Sequence, residues 1–195
     1  MEDNHQHFKI YKPYGMLSQF ASNSTQQKRK RFLGDLGDFP RNTMPIGRLD
    51  EKSEGLLLLT TDGKLSHYIN SSSIEKEYYA LVDGAISEEA ILQLSSGVEI
   101  GFNGKKYQTK PCKVFKLDQA PNLPERSKKI RDERHGFTTW ISVILTEGKF
   151  RQVRKMTSAV GCPTLRLVRV RVGNIQLNTM RVGAVEELNI PDYIQ

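Results

Sequence analysis

Residues Gly47 to Thr60, GRLDEKSEGLLLLT, restrict the fold of this chain more than any other stretch. Leu56 to Leu59 form a continuous apolar run with no polar alternation, and such a run requires a strand covered on both faces. Immediately before it, Arg48, Asp50, Glu51, Lys52, Ser53 and Glu54 make a charged loop, and Gly55 lets the chain turn into the strand. One carboxylate, Asp50, is thereby held at the mouth of a buried strand, a placement suited to chemistry. For an arbitrary Arg-Leu-Asp tripeptide a plain surface loop would be the better reading, but fourteen ordered positions carry more information.

A length of 195 residues fits one domain that buries a core without disulfide staples. Twenty-nine Lys and Arg against 22 Asp and Glu leave a net charge of +7, which favours a polyanionic partner such as RNA, DNA or an anionic membrane. Met1 to His7 is polar, lacks the apolar core of a signal peptide and reads as a disordered tail. Four leucines are far too few to span a bilayer, so no membrane association and a cytoplasmic location are expected. Cys112 and Cys162 lie far apart without a Cys-x-x-Cys or a neighbouring His, a pattern of two buried reduced thiols. His5 and His7 could form a metal-binding pair, but a polar tail explains them better, and no metal or cofactor is expected.

Along the chain, Phe8 to Tyr11 reads as a first strand and Lys12-Pro13-Tyr14-Gly15 as a turn, with the run to Phe20 continuing the strand. Lys28 to Arg31 is a basic cluster in a polar loop. Asp62-Gly63 carries a hairpin-type turn signal, Lys64 to Ile69 a short helix, and Lys76 to Val82 a strand. Ser87 reads as a helix N-cap followed by Glu88 and Glu89, which the helix dipole favours in a first turn. Residues 105 to 117 and 138 to 146 read as strands joined by a loop bearing Arg126, Lys128, Lys129, Arg131 and Arg134, with Glu125, Asp132 and Glu133 as counter-charges. From Lys149 to Val160, Phe150, Val153, Thr157 and Val160 recur at helical spacing, with Arg151, Arg154 and Lys155 beside that stripe. In the strand from Thr164 to Val172, Leu165 and Leu167 face one way and Val168, Val170 and Val172 the other. Either both faces are covered in different halves, or a bulge near Leu167 exchanges them. The irregular order of strands and helices predicts an α+β fold, with a mainly antiparallel mixed sheet and flanking helices.

Three ordered motifs around Asp50 carry a resemblance that spans nearly the whole chain. Phe8 to Gly15 resembles the opening strand and Lys-Pro-x-Gly turn of the RsuA/RluA superfamily of RNA pseudouridine synthases. Gly47 to Leu57 resembles its aspartate signature in the RsuA branch, Lys76-Glu77-Tyr78 its Lys-x-Tyr motif, and Glu147 to Met156, EGKFRQVRKM, its third motif. Lys12 to Phe20 and Thr164 to Leu167 are most similar to the branch's E type, which acts on large-subunit ribosomal RNA and lacks a preceding S4 RNA-binding module. Position 151 departs from many members in holding Arg where they carry His.

The resemblance implies a single catalytic domain over residues 1–195 with a central active-site cleft, working as a monomer without cofactor. It assigns Asp50 as the catalytic carboxylate, Tyr78 as the aromatic that packs on the uracil and whose hydroxyl can assist a proton transfer, and Arg154 as the cation that keeps Asp50 ionised. Reaching a uridine inside a stacked RNA means flipping it out, which costs a few kcal/mol that phosphate contacts must offset. Arg48, Lys128, Lys129, Arg131, Arg151, Lys155, Arg166 and Arg169 are the candidates for those contacts. The implied substrate is large-subunit ribosomal RNA before or during assembly. A catalytically silent RNA-binding or ribosome-assembly factor is the competing class, against which the intact Asp50, Tyr78 and Arg154 speak. The same activity on small-subunit or transfer RNA is the other alternative.

Overall fold

The computed structural model of the chain describes residues 5–27, 29–71, 73–131 and 135–189. Its strands and helices form an α+β fold, and the paired strands are mainly antiparallel, as the sequence predicts. The described residues fall into two compact units, one running to Ile74 and resuming at Arg169, the other comprising Glu75–Val168. Nothing in the sequence marks this division.

In the first unit, β1 (His7–Lys12), β2 (Met44–Pro45) and β3 (Glu54–Thr60) precede a helix, α1 (Gly63–Ser71). Strand β3 is buried at all seven positions, which is what an unbroken leucine run requires. It pairs antiparallel with β1, Ile10 opposite Leu57 and Phe8 opposite Leu59. On the other side of β1 lies β11 (Val185–Leu188), near the end of the described chain. Of the expected N-terminal tail, Met1 to Asn4 lie outside the described residues, and Gln6 and His7 are held by the fold. His7 belongs to β1, its Nδ1 lies 2.8 Å from Thr60 Oγ1, and Gln6 exchanges hydrogen bonds with Thr61. The segment after Gly15 does not extend β1, making only an isolated bridge between Met16 and Arg31. Of the basic cluster there, Lys28 lies outside the described residues. Asp62-Gly63 makes no hairpin either, since Asp62 Oδ1 accepts from Lys64 N–H at 2.8 Å and so starts α1.

The second unit is built on β4 (Lys76–Asp83), which pairs antiparallel along its full length with β8 (Thr138–Leu145), flanked in turn by β7 (Lys113–Lys116). Ser87 caps α2 (Glu88–Ser96) as expected, its Oγ accepting from Ala90 N–H at 3.1 Å. The stretch from 105 to 117 is not one strand. Strands β5 (Glu99–Phe102) and β6 (Lys105–Gln108) form a separate hairpin, and Pro111 precedes β7. Asn103 and Gly104 both have positive φ, 49° and 73°, as a two-residue hairpin turn demands. Helix α3 (Gln152–Ala159) buries Val153, Met156 and Thr157 against this unit's core of Ala80, Val82, Leu94, Ile141, Val143 and Leu167. Phe150 is not part of its apolar stripe; it lies before the helix and is 66% exposed.

Strand β9 (Thr164–Val172) continues from the second unit into the first, where β10 (Ile175–Gln176) folds back on it. Its four central residues, Arg166 to Arg169, are all buried. Coverage of both faces, not one-sided burial, therefore accounts for its mixed apolar pattern.

Candidate active site

Asp50 occupies the turn that leads into β3, its backbone carbonyl accepting from Ser53 N–H at 2.9 Å. Leu49 anchors that turn. Its side chain is buried, its carbonyl accepts from Ser18 Oγ at 2.7 Å, and its N–H donates back to the same oxygen at 3.0 Å. Gly15 N–H donates to Glu51 O at 2.8 Å, so the Lys-Pro-Tyr-Gly turn braces the aspartate loop from the other end. Gly15 has φ +78°, a left-handed value that glycine adopts without strain.

Beneath this loop lies a residue the sequence reading left inside a turn motif, Lys12, which has no exposed surface. Its Nζ donates to the carbonyls of Pro13 and Met16 at 2.9 and 2.8 Å. Burial depresses its pKa from 10.5 to about 7, against the opposing pull of Glu54, Asp50 and Glu51 and with a further push from Arg169. The turn that braces the Asp50 loop is thus closed by a buried amine whose pKa lies near 7.

In the second unit, Tyr78 is half-buried on β4 opposite Val143 and packs against the core. Arg154 on α3 is also half-buried, with Nη1 donating to Thr164 O at 3.3 Å. The Thr157 and Thr164 hydroxyls, 2.7 Å apart, join the same helix to the start of β9. Arg154 is therefore tied into the fold and is not a free helix-surface cation.

Glu147, the first residue of the third motif, organises the approach to α3 in a way sequence reasoning missed. Tyr107 Oη donates to its Oε2 at 2.6 Å, while Lys110 N–H and Gln152 Nε2 donate to its Oε1 at 2.9 and 2.6 Å. Burial alone would raise its pKa, but these hydrogen bonds and the charge of Lys149 bring it below the ordinary carboxylate value. Among the described residues no group of three His, Cys, Asp or Glu side chains converges as a metal site would.

The arginines and lysines expected to touch phosphate separate into two sets. Arg48, Lys128, Lys129 and Arg151 are exposed. Arg166 and Arg169 are not available as surface cations, being 6% and 3% exposed. Arg166 Nη2 donates to Pro124 O at 2.7 Å, and Arg169 Nε donates to Leu56 O at 2.7 Å. Both act as crosslinks to backbone carbonyls; three apart on β9 they project to opposite faces, and both faces are covered there. Arg131 is likewise engaged internally, paired with Asp83 and donating to His135 O at 2.7 Å. Arg126 fixes the same loop by reaching the carbonyls of Lys128 and Lys129, which leaves those two ammonium groups in solvent. Arg134 and its counter-charges Asp132 and Glu133 lie outside the described residues. Lys155 Nζ donates to Gly101 O at 2.6 Å on the β5–β6 hairpin.

The chain belongs to the RNA pseudouridylate synthase family, whose sequence profile matches residues 6–159. Ribosomal large subunit pseudouridine synthase E of Xanthomonas axonopodis pv. citri is 42% identical over 173 residues, 88% of this chain and 87% of that protein. The enzyme of the same name from Vibrio parahaemolyticus is 37% identical over 92% of this chain and 72% of its own. A crystal structure of a pseudouridylate synthase matches with a TM-score of 0.73 and 26% identity, covering 95% of this chain and 71% of that one.

Proposed function

We propose that this protein converts a specific uridine of large-subunit ribosomal RNA into pseudouridine. The observation that carries the reading is the 42% identity to a synthase of that name across both compact units. In this reaction the bond between uracil N1 and ribose C1′ breaks, the freed base turns in its pocket, and a bond forms between C1′ and C5. The hydrogen displaced from C5 leaves as a proton and N1 takes one up, so the conversion is an isomerisation and redox-neutral.

Asp50 is the proposed catalytic carboxylate. Both routes open to it, addition to C1′ and removal of a ribose proton, need it ionised beside the sugar. Tyr78 is proposed to stack on the uracil and Arg154 to supply the positive charge, roles supported by their places in the Lys-x-Tyr and Gln-Val-Arg motifs. Arg48, Lys128, Lys129, Arg151 and Lys155 are the proposed phosphate contacts; Arg166 and Arg169 leave that set because they are buried, and Arg131 because it is paired with Asp83. Both units are read as one catalytic domain, since the family profile runs across the boundary at residues 74 and 75. The enzyme is proposed to act as a cytoplasmic monomer on RNA before or during subunit assembly, where a flipped base has free space around it.

The test is to incubate wild type and Asp50→Asn with ribosomal RNA from cells lacking the protein, then map pseudouridine by chemical labelling and primer extension. Wild type should modify one large-subunit uridine, more readily in protein-free RNA than in the finished subunit, and Asp50→Asn should modify none while binding normally. Pseudouridine formed by Asp50→Asn would remove the aspartate from the chemistry. Labelling confined to small-subunit or transfer RNA would redirect the substrate.

A further inference from the structure

The β5–β6 hairpin and the loop entering α3 bring three aromatic rings and two lysines together on one surface of the second unit. Phe102 and Tyr107 meet edge to face, ring centres 6.0 Å apart, and Lys149 Nζ stands 5.5 Å above one and 5.0 Å above the other. Lys155 Nζ lies 5.9 Å from the Phe102 ring and 5.3 Å from that of Phe150. Lys105, Lys106 and Arg151 are exposed around the cluster. Phe150 stands out because the residue is 66% exposed although the neighbouring backbone is tightly held.

That backbone is fixed on both sides of the ring. Lys149 N–H donates to Gln152 Oε1 at 2.9 Å and Gln152 N–H returns a bond to Lys149 O at 3.0 Å. Arg151 adopts a left-handed conformation, φ +53°, which a residue with a side chain holds only when its surroundings impose it. The Glu147 carboxylate, which would repel a phosphate, is already occupied by Tyr107, Lys110 and Gln152. An aromatic face offered on a rigid loop among cations suits one ligand class: an unpaired nucleobase stacks on the ring while its phosphates meet the ammonium groups. Rigidity lowers the ordering cost of such a contact.

We propose that Phe150, with Lys149 and Lys155, is a stacking platform for an unpaired RNA base flanking the target uridine, resting on the synthase reading above. Phe150 lies just before the helix that carries Arg154, the proposed catalytic arginine. Recognition of a single-stranded neighbour, not of duplex, would then help select the site.

Two fluorescein-labelled RNAs test this with the full-length protein: a hairpin with a uridine-rich loop, and a duplex of the same length without one. Phe150→Ala should bind the hairpin roughly ten-fold more weakly and the duplex as wild type does. Phe150→Trp should restore binding, whereas Phe150→Leu, which keeps an apolar side chain without a ring, should not. Replacing loop bases one at a time with abasic sites should reveal one position that weakens wild type by the same factor and leaves Phe150→Ala unaffected. Equal hairpin affinity for Phe150→Ala and wild type, or equal weakening on both RNAs, would overturn the platform. Tritium release from C5-labelled uridine, measured on the same wild-type protein, reads the synthase assignment separately. Ring-dependent hairpin binding without any release would sink the function and leave the platform standing, and release with ring-independent binding would do the opposite.

Discussion

Lys12 shows how much one side chain can hide from a reading of motifs. In the Lys-Pro-Tyr-Gly turn it looks like a surface lysine, yet its amine is enclosed and its pKa lies near 7 instead of 10.5. Below about pH 7 the amine is protonated in folded and unfolded chains alike, and the folded state bears the full cost of burying the charge. Between about 7 and 10.5 the unfolded chain holds the proton that the folded one has released, so stability rises with pH across that window. Wild type should therefore gain stability relative to Lys12→Met between about pH 7 and 10.5, by at most about 5 kcal/mol, measured by urea unfolding. Parallel stability curves would disprove the coupling. Ordered motifs name Asp50, Tyr78 and Arg154 as the proposed site, whereas Arg166 and Arg169, expected at the surface, are buried for a physical reason. An arginine on a strand is exposed or buried according to what covers that face, and a local pattern does not contain that information.

At the scale of elements, runs with one strong signal were read well and elements set by short turns were not. The leucine run of β3 and the Ser87 cap of α2 are local properties, and both stand where expected. Asn103-Gly104 turns the β5–β6 hairpin within the stretch expected as one strand, and at Asp62-Gly63 a side-chain cap on α1 stands where the dipeptide signals a hairpin. What joins elements is harder still to read. Glu147 links β6, Lys110 and α3 through three hydrogen bonds to an ionised group, each of a kind that contributes about 1.5 to 3 kcal/mol. Glu147→Gln should lower the melting temperature at pH 7. The difference from wild type should shrink as pH falls through the depressed pKa of Glu147, because a carboxylate held ionised by the fold stabilises it only while ionised. A constant difference down to low pH would show that shape, not charge, sets the contribution.

Across the molecule, the 29 Lys and Arg overstate the cations that face solvent, since Arg166 and Arg169 are buried and Arg131 is paired with Asp83. Replacing Lys128 and Lys129 with alanine should reduce the salt dependence of RNA binding by roughly 0.7 for each phosphate no longer neutralised and leave the melting temperature alone. Arg131→Ala should do the reverse, costing about 1 kcal/mol of stability through its half-exposed pair with Asp83 and leaving the salt slope unchanged. A smaller salt slope for Arg131→Ala would return that residue to the RNA surface.

The route of the chain through its two units also orders events on the ribosome that makes it. Glu75–Val168 emerges as one uninterrupted segment and can consolidate as soon as it is out, whereas the first unit is begun early and completed last. In the finished protein β1 is paired on both sides, by β3 and by β11, and Tyr11 exchanges backbone hydrogen bonds with Gly183 and Ala184. Until translation reaches Leu188, one edge of β1 has no partner, and an open strand edge is a template for pairing with other chains. That edge therefore stays open from the synthesis of β1 until β11 is made, and fast elongation through residues 169–188 shortens the interval.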